Sequence, residues 1–104
     1  MIHVLAFVRL KPGRLEEALD IYRVLVPQVL ASEPGCLEYA PTVDCARIAD
    51  NQETDPETIV VSERWRSLDD FRAHLAGPPH VLAFRAAARH CLEKITLKIT
   101  RDAL

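Results

Sequence analysis

The sequence predicts an α+β fold of ferredoxin-like βαββαβ order, a four-stranded antiparallel sheet with its helices on one side. Four segments alternate with the period of a strand, and helical periodicity stands between the first and second and again between the third and fourth. The 104 residues leave room for a single domain, residues 1–104. The first strand alternates from the start, with Ile2, Val4, Ala6, Val8 and Leu10 on one face and His3, Leu5, Phe7 and Arg9 on the other. Pro12-Gly13 breaks it. From Arg14 the apolar spacing changes to Leu15, Ala18/Leu19, Tyr22, Val26 and Val29/Leu30, an amphipathic helix to about Ser32 that Pro27 should kink. Glu33-Pro34-Gly35 ends it and opens a second strand from Cys36 to about Asp44, with Leu37, Tyr39, Pro41 and Val43 on one side. Pro41 cannot donate to a ladder, which places that stretch at an edge or a bulge.

Cys45 to Glu57 is polar and turn-rich and reads as a surface excursion. Thr58 to Trp65 is the most β-prone run and a candidate central strand. Ser67, three residues before Asp70, resembles a weak capping box for a short helix carrying Leu68, Phe71 and Leu75. Gly77-Pro78-Pro79 stops that helix, and Pro79 suits the first turn of the next, His80 to about His90, with Val81, Phe84 and Ala88 on one stripe. Leu92 to Thr100 alternates Ile95, Leu97 and Ile99 against Lys94, Thr96 and Lys98, a last strand with one wet edge or face.

Composition narrows the partners. Thirteen Lys and Arg against 15 Asp and Glu leave a net charge of −2, so nothing in the charge balance favours nucleic acid or an anionic membrane. The opening segment, interrupted by His3 and Arg9, is neither a membrane span nor a leader. Cys36, Cys45 and Cys91 are odd in number and show neither CxxC spacing nor a zinc-type Cys/His cluster. Reduced thiols, a cytoplasmic location and no bound metal are the expectation. Apolar residues make up 49% of the chain. Because helices cover one sheet face, the opposite face, with His3, Leu5 and Phe7 and either the Val61/Glu63/Trp65 or the Val60/Ser62/Arg64 set, needs another cover. A second copy related by two-fold symmetry is the natural one, which predicts a homodimer.

Few side chains offer chemistry. His74 and His80 flank the Gly77-Pro78-Pro79 turn; their spacing is not that of helical metal ligands, and an unperturbed imidazole suits a general base at neutral pH. Trp65 reads either as a core anchor or as a pocket wall whose indole N–H donates to a substrate oxygen, and Tyr39 carries the same ambiguity. Glu63 shares the face of Trp65. Ser62 and Cys36 lack an evident local base. The three glycines are accounted for as breakers, so there is no phosphate loop.

The ordered set of Glu33-Pro34-Gly35-Cys36, Tyr39, Pro41, Val43-Asp44-Cys45, Ile59 to Trp65, Phe71, His74-Leu75 and Pro79-His80 resembles the antibiotic-biosynthesis monooxygenase family, in particular its bacterial quinol monooxygenases. The resemblance implies a dimeric α/β barrel and oxygenation of a small aromatic or quinone-like substrate without flavin, haem or metal. It also implies Trp65 as pocket wall and donor, His74 or His80 as base, and Tyr39, Phe71 and Phe84 as walls, with Glu63 beside them. Val61 stands where some of these oxygenases carry Asn, and Phe7 where haem-degrading relatives do, which disfavours haem turnover. Another branch isomerises a small phosphorylated metabolite, for which Arg64, Arg85 or Arg89 would have to supply the cations. A non-catalytic dimeric module that binds a small ligand is the third reading.

Overall fold

The computed structural model describes residues Met1–Leu104. Its elements are β1 (Ile2–Leu10), α1 (Leu15–Ser32), β2 (Cys36–Thr42), β3 (Thr58–Trp65), α2 (Leu68–Leu75), α3 (Pro79–Ala88) and β4 (Leu92–Arg101). The strands form one antiparallel sheet in the order β2-β3-β1-β4. This is the ferredoxin-like α+β arrangement, with the β-prone third segment paired on both sides and Pro41 on an edge strand, where its missing N–H breaks no central ladder.

Register decides which residues face the helices. Val4, Ala6, Val8 and Leu10 of β1 are buried, as are Ile59, Val61, Glu63 and Trp65 of β3. Pairing of His3 with Arg64, Leu5 with Ser62 and Phe7 with Val60 puts Val60, Ser62 and Arg64 on the opposite face. In β2 the register shifts between Cys36 and Glu38, so Cys36 and Tyr39 are both buried while Leu37 turns outward. Simple alternation put Leu37 beside Tyr39; the bulge inserts one residue and reverses the phase. The strand also ends at Thr42 rather than near Asp44, whose carboxylate accepts the backbone N–H of Asp55 and ties back the polar excursion.

Helix α1 runs unbroken through Pro27 and buries Ala18, Tyr22, Leu25 and Val29. Proline costs it the amide bond to the carbonyl one turn earlier, while the buried stripe holds the helix on the sheet. The weak capping box at α2 is real: Ser67 Oγ accepts the Asp70 N–H at 3.1 Å and donates to the Asp70 carboxylate at 2.7 Å. Between α2 and α3, Gly77 takes φ +91°, and Pro79 sits in the first turn of α3.

The exposed apolar surface is not confined to the sheet face opposite the helices. Leu5 and Phe7 are exposed there, but Ile95, Leu97 and Ile99 pair with Val8, Ala6 and Val4 and are therefore on the helix side. They are exposed because the helix layer stops short of β4.

Gly35 packs against the cap of α2. A Cβ added there would collide with Cγ and Cβ of Asp70, and the Gly35 carbonyl accepts the Arg66 N–H at 2.8 Å. Gly35→Ala must displace Asp70 from Ser67, and we expect it to cost about 1–3 kcal/mol. Urea denaturation checks this, with a lowered midpoint and an unchanged slope.

Candidate active site

Between the sheet and the helices lies a cavity of about 440 Å³, within the size range of small-ligand sites. Its floor is Ala6 and Val8 of β1 with Val61 of β3; Tyr22 and Leu25 of α1, Tyr39 of β2, and Phe71, Val81 and Phe84 of α2 and α3 form walls. Leu92, Ile95 and Leu97 of β4 line the remaining, open side. The polar groups are Glu63, His74, the two tyrosines, and the guanidinium groups of Arg85 and Arg89. Tyr39, Glu63, Phe71, His74 and Phe84, five of the residues singled out in the sequence, thus line one space. Trp65 and His80 stand outside it.

His74 is held on two sides. Its ring packs against Trp65 at 4.9 Å, Tyr39 at 5.5 Å and Phe71 at 6.2 Å between centroids. Its Nδ1 lies 3.0 and 3.1 Å from the two carboxylate oxygens of Glu33. A carboxylate oxygen accepts, so the pairing makes Nδ1 the donor, and the neutral form of the ring then keeps a lone pair on Nε2. This is the geometry that readies an imidazole to take a proton.

His80 reaches the same carboxylate from the start of α3, Nε2 to Oε2 at 2.7 Å. Side-chain exposures of 9% for His74, 10% for Glu33 and 12% for His80 mark a sheltered cluster. His80 borders a second, more open depression between α1 and α3, not the cavity. Glu33 was unreadable as a site residue: Glu-Pro-Gly at a helix end signals a stop, and its partners lie 41 and 47 residues further on.

Trp65 is fully buried, and its indole N–H donates to Glu63 Oε1 at 3.0 Å. It is covered by Phe71 and His74, so its N–H reaches the cavity through Glu63 and not directly. Burial pushes the Glu63 carboxyl up to about 7, with the Trp65 N–H opposing and the charge of Glu33 adding to the rise. Burial, reinforced by Glu63, also raises the phenols of Tyr39 and Tyr22, which remain O–H donors at neutral pH. The Cys36 thiol is pushed up to about 12, first by burial and then by Glu63 and Glu33, which leaves it a poor nucleophile.

Tertiary structure makes one cluster that spacing did not reveal. Glu17, His90 and the buried Cys91 bring three ligand-type atoms within 4.8 Å of one another. Cys91 keeps its proton there, because burial and then Glu17 raise the thiol. No helix is long and apolar enough to cross a membrane.

A family model described as antibiotic biosynthesis monooxygenase matches residues 1–87. The chain is 35% identical over 106 aligned residues to the protein named probable quinol monooxygenase YgiN of Escherichia coli K12, covering 100% of both. Among solved structures, a chain from Nitrosomonas europaea superposes with a TM-score of 0.82 at 19% identity, covering 100% of both chains. Rv0793 of Mycobacterium tuberculosis gives 0.76 at 20% identity, over 97% of this chain and 93% of that one. At these identities the two structures speak for the fold.

The raised Glu63 carboxyl has a consequence for stability. A carboxyl that binds its proton more tightly in the folded chain stabilises the fold below its ordinary value of 4.5, and that contribution is lost as pH rises through about 7. Glu63→Gln keeps an acceptor for Trp65 and removes the charge. We expect the variant to gain on the parent between pH 5 and 8, by up to about 3 kcal/mol. Denaturation midpoints across that range test it; parallel profiles for the two proteins would show that Glu63 titrates normally.

Proposed function

The chain belongs to the antibiotic biosynthesis monooxygenase family, and from that premise we propose that it oxygenates a hydroquinone, or another small electron-rich phenol, with dioxygen and without a cofactor. The observation that carries this reading is His74 at the wall of an apolar cavity, with Nδ1 engaged by the sheltered carboxylate of Glu33 and Nε2 left to accept a proton. Support for the quinol class comes from the E. coli relative, aligned over its whole length.

The chemistry asks little of a protein. A hydroquinone anion reduces dioxygen by itself, so binding the ring, removing a proton and stabilising the oxyanion suffice. In the overall reaction one oxygen atom enters the ring, which ends as a hydroxyquinone, and the other leaves as water; the hydroquinone supplies the electrons. His74 Nε2 takes the first hydroxyl proton, Glu33 stabilises the imidazolium through Nδ1, and the O–H groups of Tyr39 and Tyr22 are available to an oxyanion. His80 contributes from behind by holding Glu33, and Trp65 by holding Glu63.

The working unit in this reading is a cytoplasmic homodimer in which the sheet faces carrying His3, Leu5 and Phe7 meet. Exposure of Leu5 and Phe7 on the sheet face opposite the helices supports it, and the free state of all three cysteines fits a reducing compartment. Light scattering should return about twice the 11.7 kDa chain mass, and Phe7→Asp should halve it; a monomeric parent would refute the dimer.

Oxygen uptake with menadiol tests the activity. We expect catalysed uptake by protein free of flavin and haem absorbance, and a loss on the order of 10²–10⁴-fold in kcat for His74→Ala with the oligomer retained. No uptake with any hydroquinone would sink the proposal, whereas an unaffected His74→Ala would move the base elsewhere.

A further inference from the structure

Two cations on the cavity rim have no counter-charge. Arg9, Arg14, Arg23, Arg64, Arg66 and Arg72 each face a carboxylate. Arg85 and Arg89 face none, as do Arg47 and Arg101, but of these four exposed arginines only Arg85 and Arg89 line the cavity between the helices and β4. They stand one turn apart at the end of α3, on the side of the helix that meets the open edge of the site. Arg85 is fixed: one terminal nitrogen donates to the Leu75 carbonyl at 3.0 Å, and the other lies 3.2 Å from where a Cβ on residue 77 would stand, room that Gly77 provides. Its remaining donors are unused, and Arg89 makes no side-chain hydrogen bond at all within the chain.

From this we infer that the cavity is built for an amphiphilic substrate, an aromatic ring inside and an anionic substituent, carboxylate or phosphate ester, held by Arg85 and Arg89 at the rim. The inference rests on the proposed oxygenation for its ring chemistry, but the anion site stands on the arginines. Two like charges beside an apolar surface repel one another, and an anion binding both reverses that repulsion while gaining charge-assisted hydrogen bonds. The C-terminal end of a helix also favours cations. That effect alone needs no ligand, and it does not account for both side chains bordering the cavity.

Arg85 and Arg89 set which ring enters and in what orientation, while His74 takes the proton. They are specificity residues, separate from the base.

The test compares a naphthohydroquinone carrying a ring carboxylate with menadiol, which carries a methyl group, by oxygen uptake. We expect the wild type to prefer the carboxylate in kcat/KM by about tenfold or more, the worth of one charge-assisted contact, and the preference to shrink as salt rises. Arg85→Gln/Arg89→Gln should bring the ratio close to one. A wild-type ratio at or below one, or a ratio unchanged in the double variant, overturns the inference. Calorimetric titration with 2-naphthoate, 2-naphthyl phosphate and 2-naphthalenemethanol separates the anion site from the chemistry. Binding of either anion over the alcohol, lost in the double variant, supports the site even if no hydroquinone is turned over, a result that removes only the oxygenase reading. Equal binding of all three removes the anion site and leaves that reading untouched.

Discussion

The carboxylate of Glu33 is the interaction on which the site depends. It stands just past the end of α1 and receives His74 from the last turn of α2 and His80 from the first turn of α3, so one side chain joins all three helices. Sheltered pairs of this kind differ in kind from the surface pairs Asp20–Arg23 and Asp69–Arg72. Water screens the latter, whereas removing one member of the former leaves a charge or a donor without its partner where water has little access. The pairing also leaves Nε2 as the unpartnered nitrogen of His74. Orientation of the helices and, in the proposed reaction, readiness of the base therefore have one cause.

The cavity itself follows from incomplete coverage. Three short helices are enough to bury the inner faces of β1 and β3, but not that of β4, whose Ile95, Leu97 and Ile99 remain exposed. Where the helix layer ends, space is left between Phe84 and the β4 side chains. The same edge explains why the site is apolar within and cationic at the rim: β4 offers branched aliphatics, and the last turn of α3 offers Arg85 and Arg89.

Much of this was legible in the chain. Period-two alternation located β1 and β4, β-prone composition located β3, helical spacing located α1 and α3, and Ser67 with Asp70 marked the start of α2, because each of these signals is local. The cavity residues Tyr39, Glu63, Phe71, His74 and Phe84 were legible too, from residue type and from the motif they share with the family. What failed was set by distance along the chain. The register shift after Cys36 turns Leu37 outward, and a bulge depends on the partner strand. Glu33 is chemically important only through histidines that the fold brings to it. Glu17, His90 and Cys91 meet because the α3–β4 turn lies against α1, which no spacing rule encodes. Nor does residue type say that the Trp65 N–H is already engaged.

In the proposed reaction that engagement would give Trp65 a part in the chemistry without contact with substrate. Glu63 is the one cavity carboxyl whose charge changes near neutral pH, and two opposing influences set where: burial and the charge of Glu33 raise it, and the Trp65 N–H restrains the rise. In the proposed oxygenation, a hydroquinone anion formed beside it would add a further negative charge and drive Glu63 toward its neutral form. Neutral Glu63 then offers an O–H donor alongside the phenols of Tyr39 and Tyr22, which burial keeps protonated. In this reading Glu63 gives up its charge as the ring anion forms beside it, and formation of that anion recruits the donors that stabilise it. Without the indole N–H, Glu63 would be neutral over a wider range of pH before substrate arrived, and this coupling would be weaker. The tryptophan at the end of β3 acts by tuning a carboxyl.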